Sequence, residues 1–337
     1  MQKERKYYPA IDFIKAFAII SVVILHLMVF NGSKEPLFEM FTAFHIWQAV
    51  PLFMFVIGMT LRLSLDNGAT VLGIFSNRMV RFLIPLLIAY VVAFIIRYIM
   101  GYHNSIDWHV FIGLIPTPGM GTYFITLYFE TIVVLIVLSY LVKHYTFFFV
   151  LSIAVLFSII GELIAFNIDI KDMYLYSSSI HRYIVLLVLG YYFFDFKYEK
   201  KYFLLIALML LSTLLLIVFQ STREPIWPYS LYKSAALWQF QHFPYAFYTL
   251  LLASILIYMY NKIPKNIQNK CHFILYIGKA SLHIFLVQIF VFFIAKQMQV
   301  FMRADIGFLI FTVVLFIGCL WLYIEQSILK RVHIDAG

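Results

Sequence analysis

Lys15 and His26 stand eleven residues apart inside one apolar stretch that also holds Asp12. On a helix that spacing is about 1100° of rotation, so the two share a face to within about 20° and sit about 16 Å apart along the axis. Ionisable groups at membrane depth are costly and usually mark function. An imidazole that is neutral when buried can accept a proton, so this face points to general base chemistry above a cationic anchor. The bland reading is a lysine snorkelling beside Asp12 and a histidine satisfied by a neighbouring helix. Further along, Arg78 and Arg81 are three apart on one helix face,. With Arg62 they form a basic cluster, and guanidinium forks suit phosphate. Anchoring to anionic headgroups is the competing reading. Glu130 falls mid-way along a fourth apolar run, with Tyr123 seven residues before it on the same face,. A carboxylate at that depth is protonated or paired, and His26 or a basic side chain is the expected partner. Glu162, His181, Arg182, His242 and Glu325 lie nearer the ends of apolar runs and carry less weight. His283 reads as a structural hydrogen-bonding residue.

The elements that must hold these residues are legible in the composition. Of 337 residues, 64% are hydrophobic and 12% charged, against about 25% charged in a soluble domain. A soluble enzyme, a disordered chain and a disulfide-rich secreted chain are excluded. An all-α polytopic membrane protein remains. Runs near the length needed to cross a bilayer fall at about 10–30, 45–65, 78–100, 120–142, 145–166, 181–196, 202–220, 237–260, 273–297 and 305–329. The run at 181–196 is the shortest, and neither a repeat nor a soluble insertion interrupts the series, so residues 1–337 read as one transmembrane domain. With ten spans, twice as many Lys and Arg fall on the side of both termini as on the other, which places the termini in the cytoplasm. The first run reads as an uncleaved span because it is long and contains Asp12 and Lys15.

The net charge of +9 does not imply nucleic acid, since the basic residues sit at the ends of apolar runs. Cys271 and Cys319 form no CxxC pair, so inert thiols are expected, with no disulfide or zinc site and no metal. The outer loops 101–119 and 221–236, with Trp108, Trp227 and several prolines, read either as a mouth for an extracellular substrate or as interfacial loops.

Several segments resemble, in order, the acyltransferase 3 family of integral membrane acyltransferases. Asp12-Phe13-Ile14-Lys15 followed by His26 is similar to that family's Arg/Lys-x10-His pattern, with Lys in place of the commoner Arg. Val50 to Gly58 is similar to its PLFFxxSG stretch, with Ile57 where Ser is frequent. Arg78-x-x-Arg81 with Pro85 resembles its RxxR-x-x-x-P element, and Thr122-Tyr123-Phe124 its Trp/Tyr-Phe-Leu segment. Ile277 to Leu282 resembles its GxxSxxIYLxH region, with Gln288 where His is usual, and Ile324-Glu325-Gln326 lacks the family's following Pro. Within the family, the exopolysaccharide and intercellular-adhesion type is the nearest in flavour.

The resemblance implies transfer of an acyl group, acetyl by default, from cytoplasmic acyl-CoA to a hydroxyl of an extracytoplasmic or lipid-linked polysaccharide, at the cell membrane. On that reading Lys15, Arg78, Arg81 and Arg62 hold the anionic end of CoA, and His26 activates the acceptor hydroxyl or relays the acyl group as an acyl-imidazole. Glu130 orients the imidazole and Tyr123 donates to the developing oxyanion. An exporter or flippase of a polysaccharide or lipid-linked sugar is the alternative, and a proton-coupled symporter using His26 and Glu130 a third.

Overall fold

The computed structural model describes residues 7–31, 42–99, 121–167, 173–198, 202–222, 243–268, 270–297 and 304–331. Among the described residues every regular element is a helix. A helix satisfies its backbone donors and acceptors within one segment, which apolar surroundings require. The chain runs α1 (Ala10–Asn31), α2 (Ala49–Asp66), α3 (Val71–Ile99), α4 (Tyr123–His144), α5 (Phe147–Asn167), the short α6 (Met173–Ser178), α7 (Ile184–Tyr192), α8 (Tyr202–Thr222), α9 (Ala246–Lys262), α10 (His272–Lys279), α11 (Ser281–Gln297) and α12 (Ala304–Arg331).

Each of the ten apolar runs finds a helix, but not each helix meets the length of a membrane span. Among the described residues six are long and apolar enough to cross, and a seventh arises if α10 and α11 count together. Those two replace the single span expected at 273–297, with a bend of 70° between them at Ala280. The run at 181–196 is shorter still, because Ile180–Arg182 form a separate 3-10 turn and the chain leaves α7 in a second one at Phe193–Tyr198. The expected loops at 101–119 and 221–236 lie outside the described residues, except for Ser221 and Thr222 at the end of α8.

Helices α1, α2, α7 and α11 form the interior. Helix α1 touches α2, α9, α10 and α11, and α2 packs most extensively on α7. Glycine makes the closest approaches possible. A methyl group on Gly58 would overlap the carbonyl of Leu187, and one on Gly190 the carbonyl of Phe55. Gly278 of α10 lies just as close to the backbone of Asp12. Small residues at such crossings let packing and weak Cα–H···O contacts hold helices together where lipid offers no hydrophobic drive. Helices α3, α5, α8 and α12 are peripheral, and Val91, Leu156, Leu210 and Phe316 project outward from them. Large apolar side chains on an outer surface are what hydrocarbon solvates.

Candidate active site

His26 lies in the last third of α1, and its ring is buried against α11 and the start of α4. Phe292 meets the imidazole edge to face, with centroids 5.9 Å apart. Gly121 sits at φ +82° immediately before α4, a conformation that glycine reaches without Cβ strain,. A methyl group at Gly121 would stand 3.1 Å from Cε1 of His26, 3.5 Å from its Nε2 and 3.4 Å from Cε2 of Phe285. Gln288, fully buried, brings its amide up to the imidazole. The approach is not a well-aligned hydrogen bond: neither amide atom of Gln288 nor Nδ1 of His26 has a partner of good geometry. Phe285, Gln288 and Phe292 follow one another at i, i+3 and i+7, so a single face of α11 builds the wall. The ring therefore points into the bundle, with a second polar side chain against it and aromatic rings around both.

At the other end of α1, Lys15 Nζ donates to Asp12 Oδ1 at 3.0 Å, and the Tyr7 hydroxyl donates to Asp12 Oδ2 at 2.6 Å. Burial first, then the Asp12 carboxylate, pushes the Tyr7 phenol well above its ordinary range,. Tyr7 also carries Lys279 over its ring at 5.3 Å. Both residues line a cavity of about 400 Å³ with Pro9, Tyr260, Gln268 and His272. The Lys15 side chain is thus tied beside Asp12, as the bland reading had it, while the cavity next to that pair had no signature in the spacing.

The arginines divide by role. Arg62 Nη1 and Nη2 grip both oxygens of Asp195 at 3.0 and 3.1 Å, and its Nε donates to Asp66. Half-buried Arg78 donates to Thr60 Oγ1 at 2.9 Å and reaches the Ile57 carbonyl at 3.5 Å, which fastens α3 to the end of the Val50–Gly58 stretch. Arg81 is exposed on the same helix. Glu130 does not meet His26. Its Oε2 accepts from the backbone N–H of Ile180 at 2.8 Å, so α4 turns this carboxylate toward the 3-10 turn before α7. Tyr123, half-buried near the top of α4, lies on the Arg182 side of that helix, within electrostatic reach of the guanidinium.

A family profile described as an acyltransferase domain, acyltransferase 3, matches residues 8–324. The chain belongs to the acyltransferase 3 family. No curated protein and no solved structure matches it. In this acyltransferase the profile covers α1 through most of α12, so His26 and its wall on α11 both lie within the matched residues.

Two further polar arrangements join elements of the acyltransferase. His283 bonds Glu325 at 2.9 Å between α11 and α12, with Trp321 edge-on to the ring, as a structural histidine should. Glu162, His181 and Ser179 form a chain of contacts. Their only signal was three polar residues near the ends of apolar runs, and which helices adjoin is not written in periodicity. Cys271 and Cys319 are free. Among the described residues no group of three or more His, Cys, Asp or Glu could hold a metal ion.

Proposed function

We propose that this acyltransferase moves an acyl group, acetyl first, from acyl-CoA to a hydroxyl of an extracytoplasmic or lipid-linked polysaccharide at the cell membrane. His26 acts as general base. The observation that carries this reading is the buried pairing of His26 with Gln288 inside a cage of Gly121, Phe285 and Phe292. A buried polar atom without a hydrogen bond costs about 1–3 kcal/mol. Nδ1 of His26 and both amide atoms of Gln288 carry that cost together, and a reacting hydroxyl and carbonyl would relieve it.

The chemistry then follows. The acceptor hydroxyl donates to the imidazole and attacks the thioester carbonyl as its proton passes to the ring. The Gln288 amide N–H faces the charge that grows on the carbonyl oxygen. The carbon–sulfur bond breaks, and the thiolate takes the proton back from the imidazolium. The donor's anionic end belongs at the Lys15 end of α1, and the cavity beside Tyr7, His272 and Lys279 gives it room. Arg81, exposed about a third of the way along α3, is the guanidinium that meets a donor phosphate, whereas Arg78 mainly holds α3 against α2.

The direct test uses purified protein in lipid nanodiscs, supplied with acetyl-CoA labelled in the acetyl group and an oligosaccharide acceptor. Label is expected in the acceptor. Transport of the glycan without acylation overturns the reading in favour of an exporter. In the same assay Arg81→Ala is expected to raise the KM for acetyl-CoA about tenfold at unchanged kcat, the mark of lost uniform binding. An unchanged KM removes Arg81 from the donor site.

A further inference from the structure

We propose that Ser179, His181 and Glu162 are a second acyl-transfer centre, in which Ser179 carries the acyl group as an ester. The Ser179 hydroxyl lies 2.6 Å from Nδ1 of His181, and Nε2 of the same ring lies 3.1 Å from Glu162 Oε1. An ionised carboxylate only accepts, so Nε2 carries the proton and Nδ1 is left to accept from the hydroxyl. This is the nucleophile, base and orienting acid of a serine acyl-transfer site, recognised by geometry rather than by chain order.

The surroundings hold the three in place. The Tyr176 hydroxyl donates to the second oxygen of Glu162 at 2.8 Å. Ser158 donates to the carbonyl of His181 at 2.6 Å, and Glu130 holds the backbone N–H of Ile180. Gly161 leaves a flat place on α5 where a methyl group would overlap the imidazole, so the ring lies against the helix beside Glu162. Arg182, buried over the rings of Tyr176 and Tyr183 at 4.8 and 5.4 Å, puts a fixed positive charge in the same segment, which favours an oxyanion. His181 and Glu162 are buried, while Ser179 keeps partial exposure at the base of the turn. The base is thus shielded and the nucleophile reachable.

The step balances without an added reagent. Ser179 Oγ bonds to the acyl carbon while its proton moves to Nδ1 of His181. The bond from that carbon to the donor's sulfur breaks, and the sulfur leaves with the proton. An acceptor hydroxyl then attacks the ester, its proton passing through Nδ1 to the departing Ser179 oxygen. The proposal rests on the acyl-transfer reading above for its natural donor, but the chemistry itself can be probed with an activated ester.

Purified full-length protein mixed with p-nitrophenyl acetate is expected to release a burst of p-nitrophenolate matching the enzyme concentration, with the acetyl group found on Ser179 by peptide mass after acid quench. Ser179→Ala loses both. His181→Asn and Glu162→Gln slow the burst, the former by about 100-fold or more, and Ser179→Ala keeps the wild-type melting temperature to show that the fold is intact. His26→Ala retains the burst and the labelled serine while glycan acylation is lost, so failure at His26 and failure at Ser179 give different results. A wild-type protein without a burst, or a burst that survives Ser179→Ala, overturns the proposal.

Discussion

His26→Ala is expected to lower kcat/KM for acyl transfer by about 10²–10⁴, the range over which a positioned base acts, or about 2.7–5.4 kcal/mol of barrier. The variant should reach the membrane and melt near the wild-type temperature, because Nδ1 of the ring has no hydrogen-bond partner among the described residues that its loss would strand. KM for the donor should hold, since the imidazole works on the reacting atoms and the donor's charge is met at the far end of α1. Gln288 supplies an independent check at the same place. Gln288→Leu keeps the volume and removes the amide donor, with an expected loss of about 10²–10³ in kcat. Gln288→His restores the residue usual in the family pattern and should retain activity. A His26→Ala enzyme with a tenth or more of wild-type activity would remove the imidazole from the chemistry, and normal kcat in Gln288→Leu would confine Gln288 to packing.

The reach of the sequence differs between fold and site for physical reasons. Apolar length is a property of one segment, so each of the ten runs is met by helix, the one at 273–297 by two. The break at Ala280 was not legible, because α10 and α11 are both apolar; the bend lies beside Gly278, which seats closely on the backbone of Asp12. Helical spacing put Lys15 and His26 on one face, and α1 does turn His26 into the bundle. Pairing between helices is another matter. Face and depth suggest His26 or a basic side chain as the partner of Glu130, yet α4 presents it to Ile180, and the side chain that reaches His26 is Gln288, visible before only as a departure from a family pattern. The Ser179–His181–Glu162 chain joins residues from α5 and a turn after α6, and no periodicity connects them.

The largest structural effect is expected at the contact between α2 and α7. Gly58 and Gly190 each meet a carbonyl of the opposite helix, Leu187 and Phe55, and a single methyl on either glycine would overlap that carbonyl. Backbone cannot rotate away as a side chain can, so the helices must separate along their most extensive contact. Overpacking by one methylene costs about 1–3 kcal/mol where side chains can shift, and a rigid carbonyl puts this site at the upper end or beyond. Gly190→Ala should lower the melting temperature in detergent measurably, and Gly190→Val should abolish the monodisperse peak on size-exclusion chromatography. The two glycines face one interface, so Gly58→Ala with Gly190→Ala should cost less than the sum of the single changes, because the first separation of the helices relieves the second clash. Retention of the wild-type melting temperature in Gly190→Val would mean that α2 and α7 do not approach this closely, and strict additivity of the two alanine changes would mean that the glycines act at separate contacts.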